Sequence, residues 1–174
     1  MNRTLKAILD KALKANKSRE GLRGRALNIA ANRFNEVSLT LFSSLSEYFP
    51  EDAALLTLKQ ELASYTSPLC KDIVTPGNNF FSMTYQTKFD TRPISELILA
   101  QEEILFACDS KVHIAQLDLI HFKEKWAMLS CDERHSVWQY LLILTPLSAA
   151  VMFLHTTTDE ELLAMLDKAQ AAKP

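Results

Sequence analysis

"VWQYLLILTPLSAAVMFLH", Val137–His155, contains no Asp, Glu, Lys or Arg, and nothing between Arg134 and Asp159 is fully charged. A run of this kind is either a membrane span or the central helix of a helical core. Its length suits a span, since about 20 residues cross the hydrocarbon layer. Lys123, Lys125 and Arg134 precede it, acids follow it, and Trp138 and Tyr140 stand near one end, where interfacial aromatics belong. Gln139, Thr145, Pro146 and Ser148 argue the other way. Pro146 removes a backbone donor and disfavours α geometry at Thr145, so the spacing predicts a split or kink near it, with Ser136–Leu144 as a first short piece. Just upstream, Ser130 and Glu133 have the spacing of a helix-starting capping box. A capped core helix accounts for all of these residues; a membrane anchor over 137–154 is the alternative.

The flanking sequence supports a helical protein. Of the 174 residues only Gly21, Gly24 and Gly77 are glycine, which argues against a turn-rich β fold and against a Gly-rich phosphate loop. The length fits one domain with a substantial core. Leu5, Ile8, Leu9, Ala12 and Leu13 recur at helical spacing. Ser18 is placed to cap a second helix carrying Leu27, Ala30, Phe34, Val37, Leu41 and Leu45, which should stop before Pro50. A third helix, "PEDAALLTLKQELASY", has Glu51 and Asp52 at its positive end and Leu55, Leu58, Leu62 and Tyr65 as its inner stripe.

Residues 67–92 break the pattern. Pro68, Pro76-Gly77 and Asn78-Asn79 predict a helical turn over 69–74, a tight turn, and then an irregular loop pinned by Phe80, Phe81, Tyr85 and Phe89. Periodicity returns with Ile94, Leu97, Ile98, Leu105 and Cys108 on one face. Asp118 is expected to cap a helix bearing Leu119, Phe122, Trp126 and Leu129. Thr158 and Glu161 repeat the capping-box spacing before a last helix that should fray after Leu166. The expectation is a single all-α bundle of six or seven helices.

No catalytic or metal signature stands out. His113, His121, His135 and His155 show no H-x-x-x-H spacing, and Cys70, Cys108 and Cys131 form no C-x-x-C. Three scattered cysteines also argue for a reducing compartment. Cys131 at a helix start with His135 one turn on is the minimum for a nucleophile, but no orienting third group follows. No cofactor, no metal and no enzymatic chemistry are expected. The basic N-terminus is followed by no apolar segment, so a secretory signal is not expected.

Charge is the informative feature. Residues 1–33 hold nine Lys/Arg against Asp10 and Glu20, while the rest holds ten against nineteen acids, so +7 faces −9. This basic helical arm could be peripheral. Lys6, Lys14, Arg19, Arg23, Arg25 and Arg33 are the candidate binding residues, for a protein partner with an acidic surface or for nucleic acid; docking on the chain's own acidic body is a third outcome. No aromatic is interleaved before Phe34, which disfavours base stacking. An amphipathic helix on a membrane surface is also disfavoured, because the apolar face lacks Trp and Phe.

"FKEKWAMLSCDERHSVWQYLLIL" has the form F-x-x-x-W, a capped turn, then W-x-Y-L, through Phe122, Trp126, Trp138, Tyr140 and Leu141. It resembles a family of small, mostly uncharacterised helical proteins of nucleocytoplasmic large DNA viruses. Upstream, "PLCKDIVTPGNNFFS" is similar to the family's segment of an early Pro, a helical Ile and paired aromatics, at Pro68, Ile73, Phe80 and Phe81. Gln139, where Lys is common, and Pro146 depart from the pattern, and the likeness covers roughly residues 67–145. It implies an α-helical structural protein, a minor capsid component in the virion or the host cytoplasm, whose partners would include other capsid proteins. It supplies no catalytic residues. Phe122, Trp126, Trp138 and Tyr140 read as anchors locking two consecutive helices together.

Overall fold

The structure, a computed structural model, describes residues 3–16, 18–64, 84–86, 91–110, 112 and 115–171. Two long helices form its spine. α2 (Leu22–Tyr48) and α7 (Cys131–Thr156) each run for about 40 Å at the usual helical rise and pack along one another. α1 (Arg3–Ala15) packs on both, burying Leu5, Ile8, Leu9 and Ala12. The N-terminal helix therefore belongs to the core through its apolar stripe, and the basic segment 1–33 extends into the first half of α2. α3 (Ala53–Ser64) returns along α2 with Leu55, Leu58 and Leu62 buried.

Beyond α3, the described residues resume at a two-stranded antiparallel hairpin, β1 (Thr84–Gln86) and β2 (Thr91–Pro93), with Tyr85 opposite Arg92. The expected turn over 69–74 and Phe80, Phe81 and Phe89 lie outside the described residues. α4 (Ile94–Leu99) then packs on α7 through Ile94, Leu97 and Ile98. A short 3-10 turn follows (Glu103–Phe106), then α5 (Ala115–Leu119), α6 (Phe122–Met128), α7 and α8 (Asp159–Ala171). The architecture is all-α, with eight α-helices among the described residues.

Several local expectations are corrected. The stripe from Ile94 to Cys108 is not one helix. Gln101 takes a left-handed conformation (φ 54°), ending α4, and Cys108 is exposed. Asp118 lies inside α5; His121, also left-handed (φ 49°), stands at the start of α6 and leaves Leu119 66% exposed. Ser18 does not cap α2, because its hydroxyl accepts the Glu20 N–H (3.2 Å); Gly21, at φ 63°, takes the cap position. Only glycine adopts that backbone without penalty. α8 continues to Ala171, past the expected fraying point.

The largest correction is Pro146. α7 is continuous through it. Proline costs the ladder one hydrogen bond, to the Leu142 carbonyl, but its fixed φ is itself helical. Thr145 adopts helical geometry, donates to the Leu141 carbonyl (2.8 Å) and is buried. Leu141, Leu144, Leu147, Val151 and Leu154 are buried on either side, and that packing holds both halves in one helix without the expected split. The start follows the sequence closely. Ser130 Oγ accepts the Glu133 N–H (3.4 Å) and the Glu133 carboxylate accepts the Ser130 N–H (2.7 Å), completing the capping box. The Ser130 N–H, which contributes most, and the Ser130 hydroxyl (2.8 Å) hold the Glu133 carboxyl below its ordinary value. Thr158 and Glu161 form the second capping box at the start of α8, at 3.2 and 2.9 Å.

An ion pair between buried Lys125 and partly exposed Asp52 ties α3 to α6. Lys125 Nζ lies 2.6 Å from Asp52 Oδ2, donates to the Ile120 carbonyl (2.6 Å) and sits over the Phe49 ring. Asp52 also accepts the Leu55 N–H at the start of α3 (2.8 Å). The hydrogen bond from Lys125 is the main reason the Asp52 carboxyl titrates below its ordinary value, although partial burial pushes the other way.

Candidate interaction surface

Six basic residues of the N-terminal third were candidates for binding, and the structure gives them three different surroundings. Arg19 pairs with Asp167 of α8 (2.7 Å). Arg25 donates to the Ser18 and Glu20 carbonyls and so closes the α1–α2 connection. Arg23 sits where three helix ends meet. Its guanidinium donates to the Leu154 and Thr157 carbonyls (3.3 and 3.5 Å) at the end of α7, and its backbone N–H donates to Asp159 Oδ1 (3.2 Å) at the start of α8. A cation is favourable at a helix C-terminus and a carboxylate at a helix N-terminus, so Arg23 and Asp159 serve α7 and α2 reciprocally. Arg19 and Arg23 join the basic segment to the chain's own C-terminal helices, while Arg25 braces the α1–α2 connection itself.

The rest face solvent. Lys6 and Lys14 are exposed on α1 together with Arg3 and Lys11, and none of the four forms an ion pair among the described residues. Arg33 is exposed on α2 and pairs with Glu36 one turn on (3.1 Å). Between α1 and α2 lies an open groove of about 550 Å³, lined by Arg3, Thr4, Ala7, Ile8, Lys11, Ile29, Asn32, Arg33, Glu36 and Leu147. Its floor is aliphatic: Ala7, Ile8, Ile29 and Leu147. Its rim is basic on the α1 wall, from Arg3 and Lys11, and carries the Arg33–Glu36 pair on the α2 wall. The sequence pointed to the charge but not to the groove, because the floor comes from three helices distant in sequence.

The aromatic anchors divide. Phe122, Trp126 and Trp138 cluster with Phe106, whose ring centroid lies 5.1, 4.5 and 5.2 Å from theirs. Phe106 went unrecognised as an anchor because it lies in the 3-10 turn, outside the motif. Trp126 Nε1 donates to Glu103 (2.7 Å), and the Arg134 guanidinium stacks 5.4 Å over the Trp126 ring. Tyr140 is not part of this cluster. It points to the other side of α7, where its hydroxyl meets Ser44 of α2 at 3.2 Å. The residue pair W-x-Y thus places Trp138 and Tyr140 on opposite flanks of one helix, each binding a different neighbour.

The remaining chemistry is sparse. His135 contacts Gln139 (3.3 Å), and His135 and Cys131 are both exposed. His113 and Cys70 lie outside the described residues. A second depression of about 350 Å³ is lined by Cys108, Asp118, His121, Phe122, Lys123 and Glu124. Among the described residues no group of three or more His, Cys, Asp or Glu is arranged to hold a metal ion. α7 is long and apolar enough to cross a membrane, but 56% of its most apolar window is buried within the protein. Comparison of the chain with protein-family models, with curated proteins and with solved structures found no match.

Proposed function

We propose that the protein is a non-enzymatic interaction protein that grips an acidic protein surface through the exposed face of α1. The observation that carries this reading is the set of solvent-facing cations on α1, Arg3, Lys6, Lys11 and Lys14, which outnumber the exposed Asp10 and of which Arg3 and Lys11 border the α1–α2 groove. A nucleic-acid role would draw on the same segment. Arg19, Arg23 and Arg25 are already engaged, which leaves that role Lys6, Lys14 and Arg33 of the six candidates. Without interleaved aromatics, these offer phosphate contacts and no stacking platform. The packing of α1, α2 and α4 against α7 favours a core helix over the membrane-anchor reading. The likeness of Phe122–Leu141 to proteins of large DNA viruses supports a virion setting, with the partner a capsid protein and this chain a minor capsid component.

The test compares binding of the full chain to poly-L-glutamate, a short DNA duplex and anionic lipid vesicles across a salt titration. Binding to the acidic polypeptide that weakens with salt and is lost in the K6E/K14E variant is the expected result. Binding to the duplex or the vesicles alone would overturn the reading. Co-sedimentation with virus particles tests the setting.

A further inference from the structure

We infer that the α1–α2 groove is the seat of an acidic amphipathic helix contributed by the protein partner; this rests on the reading that α1 binds an acidic protein surface. An acidic surface alone would be met by exposed lysines and needs no apolar floor. Here the cations border a trough of Ala7, Ile8, Ile29 and Leu147. Ala7 and Ile29 are the accessible part of that floor, over the buried Ile8 and Leu147, and apolar surface framed by charge suits a partner site.

The dimensions fit a helix. Arg3 and Lys11 are eight residues apart on α1, about 12 Å at the helical rise, which is slightly over two turns of a partner helix. Ile143 lies one turn before Leu147 on α7 and is 44% exposed, so the apolar strip continues along that helix for a further turn. A partner helix laid in a groove uses side chains at i, i+3/i+4 and i+7, and this strip supplies room for such anchors. The rim selects the charge of the partner's flanks. Arg3 and Lys11 face one flank, while on the other Arg33 is paired with Glu36 and the wall is neutral as a pair. Carboxylates on the flank that meets α1 complement that pattern, and a carboxylate on the other flank would compete with Glu36 for Arg33.

Two other occupants fit less well. A phosphate backbone would leave the aliphatic floor uncovered. A bilayer would meet a concave aliphatic trough with no Trp or Phe to insert.

The probe is a synthetic helical peptide of about four turns built from Leu, Ala, Glu and Gln, with Leu at i, i+3/i+4 and i+7, Glu on one flank and Gln on the other. Its control has the same composition with the periodicity scrambled. Binding to the full chain is read by fluorescence anisotropy. We expect the periodic peptide to bind at least roughly tenfold more tightly, the effect of one well-placed apolar anchor. Ala7→Trp, which fills the floor from an exposed position, should erase that preference. R3E/K11E should weaken both peptides and flatten the salt dependence. Unchanged circular dichroism and melting would show that each variant is folded. Equal affinity for the periodic and scrambled peptides, with poly-L-glutamate still bound, would overturn the helix inference and leave the broader reading intact. No binding to any acidic probe would overturn both. Self-association that Ala7→Trp abolishes would overturn it in favour of a second copy of the chain, and tighter binding to the DNA duplex or vesicles would overturn it in favour of phosphate or lipid.

Discussion

Replacing Lys125 by methionine tests how the α3 and α6 layers are joined. Methionine keeps the length of the lysine stem and removes only the ammonium. Three interactions go with it: the ion pair to Asp52 (2.6 Å), the hydrogen bond to the Ile120 carbonyl (2.6 Å) and the cation over Phe49. Breaking a buried pair by deleting one partner costs about 3–5 kcal/mol, because the other charge stays behind. The Asp52 side chain is still 23% exposed and keeps the Leu55 N–H, so it can take up water and part of that cost is relieved. We therefore expect K125M to lose about 2–3 kcal/mol. Asp52→Asn keeps an acceptor for Leu55 and a polar partner for Lys125, and should lose about 1–2 kcal/mol. The double variant should be less destabilised than the two single losses added together, with a coupling of about 1–3 kcal/mol.

Urea unfolding followed by far-ultraviolet circular dichroism measures all three, and an unchanged m-value would show that the variants unfold the same surface. The pair also makes a pH prediction. Lys125 holds the folded Asp52 carboxyl below its unfolded value, so folding favours the ionised form. That contribution is fully present above the unfolded pKa, near 4, and is lost as pH falls through the depressed folded value. The stability gap between wild type and D52N should accordingly be widest near neutrality and close on acidification. A K125M variant within about 0.5 kcal/mol of wild type, or a gap to D52N that does not change with pH, would refute the assignment of Lys125 and Asp52 as a coupled pair.

Other substitutions follow from the same packing, each checked by chemical unfolding. Gly21→Ala should cost about 1–2 kcal/mol, since an L side chain must then take φ 63°. Gly24→Ala, in the first turn of α2 with nothing within 4 Å of the added carbon, should gain about 0.4–1 kcal/mol. Phe106→Ala removes the ring touching Phe122, Trp126 and Trp138 and should cost about 3–5 kcal/mol; a change below 1 kcal/mol would mean that the cluster is not a core. Pro146→Ala restores one backbone donor inside a continuous helix and should stabilise by about 1–2 kcal/mol, whereas a loss would show that the ring's own packing outweighs the missing bond.

Much of this architecture is legible in the sequence because it is periodic. The stripes of α1, α2 and α3 name many of their buried residues, although Leu13 and Leu27 are only partly buried and Tyr65 lies outside the described residues, and both capping boxes fall where Ser130–Glu133 and Thr158–Glu161 put them. What misleads is local chemistry overridden by packing. Pro146 signals a break, but the buried residues before and after it keep α7 whole. Ile94 to Cys108 signals one helix, but the left-handed Gln101 ends it, and no glycine marks the spot. The same holds at His121. Left-handed residues other than glycine leave no compositional trace, so helices that break at them look continuous.

The basic segment teaches a different limit. Its nine cations are visible at once, but a count of charges says nothing about which of them are already used. Arg19, Arg23 and Arg25 fall within seven residues around the α1–α2 connection; Arg25 closes on carbonyls five and seven positions back, while Arg19 and Arg23 reach carbonyls and carboxylates that only the fold brings near. Leu154, Thr157, Asp159 and Asp167 are more than 130 positions away in the chain. Arginine suits this work because its planar fork can serve several acceptors at once. The lysines of α1, with single flexible ammonium groups, stay in water. The division follows position in the fold: the arginines around the connection hold the helix ends together, and Arg3, Lys6, Lys11 and Lys14 remain to meet whatever approaches α1. Neutralising Arg23 should show as lost stability, and neutralising Lys14 as lost binding at constant stability. A variant pair that reversed those two readouts would show that this division of labour is wrong.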